Sequence, residues 1–292
     1  MLIVRIWEGL GNQLFQYAFA RALSLRRQEE VRLDTTKIFD EIYTEGNIER
    51  TYGLNSFRIG LREATKDDLN AYSFLGRRSY SDKMRYLLSV RHFGKYQFFE
   101  ETKKYFAPRQ IYISENCYLK GWFQNEGYFR QYRNLLLEEL TLKKEVQVSK
   151  KLQNLLSSDK TIAVHVRRGD YIKTGAALPA AYYQQSFCYL RDLIGADYTY
   201  LVFTDDPGWV KKHVAFPADA YYVSEEETLK DYEELIIMSR CAHNVIANST
   251  FSWWGAWLNH NPGQIVISPK RWFLKREYKD DVCITPNRWI RL

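Results

Sequence analysis

The chain has 292 residues, 46% hydrophobic and 26% charged, with 42 Lys and Arg against 35 Asp and Glu, a net charge of +7. That is the balance of an ordinary globular protein, with length enough for two domains of about 150 residues each. It excludes a low-complexity chain, and no apolar stretch approaches the about 18–20 residues that cross a bilayer. The basic excess favours anionic partners such as nucleotides, nucleic acid or an anionic membrane face, with scattered solvated charge as the plainer reading. Tyr and Trp number 22 and 8; their flat apolar faces with a polar handle suit sugar rings as well as a core. Cys117, Cys188, Cys241 and Cys283 lie far apart with no CxxC or Cys/His cluster, so neither a zinc site nor a disulfide framework is expected. The chain opens directly into a strand-like run without a leader pattern. The expectation is a cytoplasmic protein, with peripheral contact to an inner membrane left open by the basic surface.

Leu2–Ile6 reads as a strand, and Asn12–Arg27 as a helix with Leu14, Phe15, Ala18, Ala22 and Leu25 near helical period. Val31–Asp34 reads as a second strand. From about Thr35 to Val146 the pattern is irregular, aromatic and charged, with periodicity only near Tyr128–Leu140. The polar stretch Ser149–Lys160 reads as a linker, dividing the chain into residues 1–150 and 151–292. Beyond it the pattern is regular. Thr161–Val166 is an apolar run of the kind buried on both faces of a parallel sheet. Helix Tyr182–Ile194, strand Tyr198–Phe203, a helix opened by Pro207, strand Tyr221–Val223, helix Leu229–Cys241, strand Asn244–Ala247, helix Thr250–Leu258 and strand Gln264–Ser268 follow. This alternation predicts a doubly wound α/β domain.

Three strand-to-helix junctions carry the candidate chemistry. Gly9-Leu-Gly11 after the first strand, with Asp34 closing the second, imitates a dinucleotide-binding fingerprint. Leu14 replaces its third glycine, which disfavours an NAD-dependent oxidoreductase. His165-Val-Arg-Arg-Gly-Asp170 closes a central strand, where ligands of open α/β sheets bind. Strand alternation puts His165 and Arg167 on one face. The guanidinium forks of Arg167 and Arg168 suit a pyrophosphate; a surface Arg–Asp salt bridge is the plainer alternative. Asn248-Ser-Thr250-Phe-Ser252 opens another helix, where Ser249 or Thr250 can cap and the free N–H groups attract an anion. Phe251, Trp254 and Leu258 are spaced to pack inward, beside a stripe of Trp253 and Trp257. Thr204-Asp205-Asp206-Pro207 lacks the D-x-D spacing of a metal motif. Its carboxylates suit a helix cap or two N–H donors of guanine.

Gly9-Leu-Gly-Asn-Gln-Leu-Phe-Gln-Tyr-Ala18, His165-Val-Arg-Arg-Gly-Asp-Tyr171, Phe203-Thr-Asp-Asp206 and Asn248-Ser-Thr-Phe-Ser-Trp-Trp-Gly255 together resemble the bacterial α-1,2-fucosyltransferases, in the right order and nearly from end to end. The resemblance implies an α/β fold of GT-B type, two Rossmann-like domains facing a cleft: residues 1–150 on the acceptor side and 151–292 binding GDP-fucose. It implies inverting transfer of L-fucose from GDP-fucose to the 2-hydroxyl of a galactose-containing glycan, with no cofactor, no metal and no nucleic-acid partner. By the same likeness Arg167 holds the β-phosphate, His165 and Arg168 support the nucleotide site, and Asp205 meets guanine. Ser249, Thr250 and Ser252 cradle the pyrophosphate, and Asn12 lies near the reacting sugar. Glu8 departs from the pattern, standing where the family usually reads glycine. The α-1,6 group's base falls here on Gly175, so no base carries over.

Two carboxylates inside the motifs can serve as general base. Asp170 has the alternative of orienting Arg168. Glu8 enters from the acceptor-side domain. In a third route fucose leaves early, deprotonation comes late and Asn12 only positions the acceptor. A reading of another class remains beside the enzyme: a non-catalytic nucleotide- or nucleic-acid-binding protein, which would show strongly salt-dependent polynucleotide binding.

Overall fold

Parallel strands need a crossover between them, and both halves of the chain are built on that rule. The computed structural model describes residues 1–36, 38, 51–72, 90–93, 95–101, 113–274 and 284–292, so Cys283 lies outside the described residues. The chain forms two units, Met1–Lys143 and Lys144–Leu292. In the first, β1 (Leu2–Arg5), β2 (Val31–Asp34), β3 (Arg62–Glu63), β4 (Val90–Phe93), β5 (Tyr96–Glu100) and β6 (Cys117–Lys120) form one sheet in the order β3-β2-β1-β6-β5-β4. Neighbours run parallel except β4 and β5.

The helix Leu10–Arg27 links β1 to β2. Arg26 and Arg27 sit favourably at its carboxyl end. Leu14, in place of the fingerprint's third glycine, is fully buried. The strands β3 to β6 were not anticipated. They are short, and β6 alternates buried and half-buried side chains, Cys117 and Leu119 against Tyr118 and Lys120. Only the helix Arg133–Glu139 matches the periodicity read near Tyr128–Leu140.

The second unit holds β7 (Thr161–Val166), β8 (Thr199–Thr204), β9 (Ala220–Tyr222), β10 (His243–Val245), β11 (Val266–Ser268) and β12 (Ile290–Arg291). Every neighbour pair is parallel, in the order β12-β11-β10-β7-β8-β9. Taken from β9, this is the doubly wound order of dinucleotide-binding folds. The two Rossmann-like units of a GT-B chain are thus both present. The stretch read as a linker contains the helix Lys150–Leu156, whose first turn Ser149 caps by accepting the Leu152 N–H at 3.2 Å. β9 stops at Tyr222 because Val223 opens the short helix Val223–Glu226. No helix among the described residues is long and apolar enough to cross a membrane.

Ile162, Val164 and Val166 of β7 face one side of the sheet, where Val202, Val245 and the helix Ala180–Ile194 cover them. The helix Thr250–Trp257 is buried more completely than its spacing suggested. Trp253, Trp254, Trp257 and Leu258 are all in the core, while Phe251 is half-buried. The reason is that the tryptophans have partners on more than one side. Trp253 donates to the Ile284 carbonyl at 2.9 Å and packs on Trp289, and Gly255 lies against the helix Asp231–Arg240. A Cβ on Gly255 would stand 2.9 Å from the Met238 Cβ, an atom close to the backbone that cannot swing away. Gly255→Ala should therefore cost about 1–3 kcal/mol in urea unfolding despite alanine's better helix propensity.

Candidate functional site

Where a doubly wound sheet reverses its strand order, the connections leaving adjacent strands diverge and leave their carboxyl ends open. In the second unit that point lies between β7 and β10, and two of the motifs stand there. Residues 167–170 follow β7, and residues 248–252 follow β10 and open the helix Thr250–Trp257.

Both arginines are ion-paired, as the plainer reading had it. Arg167 spreads its fork over two carboxylates, Nη2 to Asp170 Oδ1 at 2.7 Å and Nη1 to Asp205 Oδ2 at 2.8 Å, while its side chain stays 26% exposed. Arg168 lies over the Trp209 ring at 3.7 Å and pairs with Asp206 at 3.2 Å. Asp170 therefore orients Arg167, not Arg168. Asp206 also caps the helix Pro207–His213, accepting the Trp209 N–H at 3.0 Å. Asp205, assigned by resemblance to guanine, has both oxygens taken here: Oδ2 by Arg167, and Oδ1 by the Arg168 backbone N–H at 2.8 Å. Gly169 makes this possible, since a Cβ there would come within 2.8 Å of Asp205 Oδ2.

Behind the arginines the site is dry. His165 is buried, with Phe251 as ring neighbour at 5.6 Å, and its Nδ1 has no partner among the described residues. Burial pushes the imidazole down to about 3, with a smaller push from Arg167, so it is neutral near pH 7. Asn248 ties the loop down by donating to the Ala176 and Trp272 carbonyls, each at 3.0 Å, and its buried Oδ1 also lacks a partner among the described residues. Ser249 is the helix cap, accepting from Phe251 N–H at 3.3 Å, and Thr250 is half-buried at the first helical position. Ser252 is fully buried with its hydroxyl donating to the Ser249 carbonyl at 3.4 Å, which makes it part of the helix packing.

In the first unit β1 and β6 are parallel neighbours at the middle of the sheet. After β1, Glu8 has φ 65, the left-handed backbone that glycine adopts freely and glutamate rarely. The conformation is glycine-like although the residue is Glu. Its Oε2 accepts from Asn12 Nδ2 at 2.5 Å, and its Oε1 from Trp122 Nε1 at 3.4 Å. Gln124 Nε2 donates to Asn12 Oδ1 at 2.7 Å. Trp122 and Gln124 follow β6, so the carboxyl ends of both neighbouring strands contribute. Sequence reasoning missed them, together with Trp209, the pairing of Asp206 with Arg168 and Asn248's anchoring role. The period-two pattern Cys117-Tyr-Leu-Lys120 ending at Gly121 was the available signal for the strand whose end carries Trp122 and Gln124.

The buried imidazole has a pH consequence. The unfolded chain takes up a proton at His165 near the ordinary 6.5, the folded chain only near 3. Folding stability is therefore lost as pH falls from about 6.5 toward 3. His165→Asn should flatten that acid dependence relative to wild type, measured as urea midpoints from pH 7 to pH 4.

The model of glycosyl transferase family 11 matches residues 69–291. Two Escherichia coli proteins are similar over nearly their whole lengths. The O-antigen biosynthesis glycosyltransferase WbnK is 29% identical over 317 residues, covering 97% of this chain and 98% of its own. An α-1,2-colitosyltransferase is 29% identical over 308 residues, covering 100% and 99%. A Bos taurus galactoside 2-α-L-fucosyltransferase is 24% identical over 155 residues, 48% of this chain and 41% of its own. Among solved structures, the fucosyltransferase NodZ from Bradyrhizobium aligns with a TM-score of 0.47 at 14% identity, covering 88% of this chain and 92% of its own. With its motifs at the carboxyl ends of parallel strands and the family model matching residues 69–291, the chain belongs to glycosyl transferase family 11.

Proposed function

We propose that this glycosyltransferase moves L-fucose from GDP-fucose to the 2-hydroxyl of a galactose in a bacterial surface glycan, with inversion and without a metal. The observation that carries this reading is Arg167, held in a fixed orientation by Asp170 and Asp205 at the reversal between β7 and β10, beside the N-terminus of the helix Thr250–Trp257. Negative charge develops on the β-phosphate as GDP leaves. A preorganised guanidinium and a helix N-terminus stabilise that charge without reorganising at the moment of reaction. Asp170, Asp205 and Asp206 outnumber the two arginines, so the diphosphate has to take over Arg167 N–H groups from a carboxylate. The buried, neutral His165 Nδ1 and Asn248 Oδ1 offer polar atoms that lack partners among the described residues.

For the base we assign Glu8. Asp170 is engaged by Arg167, and protonating it would weaken the clamp that the leaving group needs. Glu8 instead sits in a chain of neutral donors, Asn12 and Trp122, suited to orienting a sugar hydroxyl. The α-1,2 linkage and the surface glycan are supported by the names of the E. coli relatives. One of them names colitose, so GDP-colitose is the competing donor.

Incubation with GDP-fucose or GDP-colitose and a panel of β-galactosides, with products read by mass, separates the donors. Turnover with fucose is expected; turnover with colitose alone would reject fucose. EDTA should leave the rate unchanged, whereas a loss restored by Mn²⁺ would overturn the metal-free reading. Arg167→Ala should abolish transfer in a folded protein, and Arg167→Lys should also fail because a point charge cannot replace the fork. Glu8→Gln should lower kcat by ~10²-fold or more at unchanged GDP affinity, while Asp170→Asn should act first on GDP binding in calorimetry. The reverse pattern makes Asp170 the base, and small effects on kcat in both favour late deprotonation.

A further inference from the structure

Glu101 follows β5, the strand beside β6 in the first unit, and it is a carboxylate 5% exposed. Its Oε2 accepts two backbone N–H groups, those of Trp122 and Phe123, each at 2.8 Å. The Tyr128 side chain also hydrogen-bonds it. Its own N–H donates to the Lys120 carbonyl at 2.8 Å, so β5 and the turn after β6 are tied at both ends of the residue.

That turn would not hold itself. Phe123 has φ 50, a left-handed backbone that costs a bulky residue on the order of 1–2 kcal/mol. Gly121 has no room for a side chain: a Cβ would lie 2.8 Å from Glu101 Cβ and 2.8 Å from Phe123 Cζ. The strained turn is over-determined by the carboxylate on one side and by the stacking of Phe123 on Phe19, 3.7 Å between centroids, on the other. Its flanking side chains are the ones that matter. Trp122 Nε1 reaches Glu8 and Gln124 Nε2 reaches Asn12.

We propose that Glu101 is a positioning residue for the transfer step, acting through the turn 121–124 to hold Trp122 and Gln124 against Glu8 and Asn12. The inference rests on the proposed role of Glu8 and Asn12 at the acceptor. A carboxylate is the fitting side chain because one oxygen with two lone pairs can accept two converging N–H donors. A carboxamide oxygen has the same capacity. Burial pushes Glu101 up to about 7, against the pull of its backbone hydrogen bonds, yet protonation would leave Oε2 able to accept both N–H groups if the proton sits on the other oxygen. The geometry therefore does not depend on the charge, and glutamine should substitute.

The test uses the full chain and compares Glu101→Gln, Glu101→Leu and Gln124→Leu. Transfer to a β-galactoside is measured beside hydrolysis of GDP-fucose without acceptor. Glu101→Gln should stay within about five-fold of wild type in transfer, while Glu101→Leu, which leaves two N–H groups without their acceptor, should lose about 10²-fold. Gln124→Leu should raise the acceptor KM or lower kcat. In all three, hydrolysis and the KM for GDP-fucose should hold, which a general loss of structure would not permit. In a double-mutant cycle, Glu101→Leu combined with Trp122→Phe and Gln124→Leu should lose little more than Glu101→Leu alone. Additive losses, or a Glu101→Leu protein with normal transfer, would overturn the proposal. If Glu101→Leu fails to fold, a Gln124→Leu protein with unaltered acceptor KM and kcat would overturn it equally. A wild type that turns over no GDP-fucose sinks the functional reading first, and the same variants are then read with GDP-colitose.

Discussion

The structure depends on one constraint: parallel strands covered on both faces can offer a ligand only their ends. Each crossover carries the chain from one strand end back to the start of the next. Open space at the carboxyl edge arises where successive crossovers leave in opposite directions. The second unit has such a place between β7 and β10; in the first, the motif residues stand at the carboxyl ends of the central neighbours β1 and β6. The residues that looked chemical in sequence collect there because those are the positions where backbone leaves the sheet without being covered. Gly9 and Gly11, the pair Arg167–Arg168 and Asn248–Ser249 are three instances of the same geometric opportunity.

The two places differ in how charge is arranged: ion pairs interlock in the second unit, while in the first the cations of Arg5 and Lys120 lie over the Trp7 ring. In the second unit, guanidiniums and carboxylates interlock into a fixed lattice around Arg167, with Trp209 and a dry, neutral His165 behind it. Such a lattice suits an anion that must be gripped and then stabilised as its charge grows. In the first unit, Glu8 faces amide and indole N–H groups, and Trp7 packs against Trp122 with 4.9 Å between ring centroids. Neutral donors beside aromatic faces suit a hydroxylated ring. The two chemistries match the two halves of a transfer from a nucleotide to a sugar.

The regular half of the fold was legible because its strands are continuous apolar runs, Thr161–Val166 above all, and its helices carry clear caps such as Asp206 with Pro207. β3 to β6 were not legible. They are two to five residues long, and β3 and β6 take their register from β2 and β1, with β5 paired on β6 in turn, information held in neighbours distant in sequence. The site followed the same division. Arg167, His165 and Ser249 announced themselves by type and position at strand ends. Who pairs with whom did not: Asp170 went to Arg167 and Asp206 to Arg168, because the connection after β8 brings Asp205 and Asp206 alongside, a proximity that spacing along the chain does not encode. The resemblance gives Ser252 to the pyrophosphate, while its place on the buried side of the helix puts its hydroxyl on the Ser249 carbonyl.

Glu8 is where sequence and structure correct each other most usefully. A glutamate where the resemblance gives glycine needs a reason for its backbone. It takes φ 65, and that unfavourable conformation is offset by the Gln13 side chain donating to the Glu8 carbonyl at 2.7 Å and by the Glu8 N–H donating to the Ile38 carbonyl at 2.7 Å. The turn is thus held by contacts that do not involve the Glu8 side chain, and they leave the carboxylate to accept from Asn12. A positive φ that glycine would adopt freely is here met by backbone hydrogen bonds, and the side chain that a glycine would lack joins the polar group around Asn12.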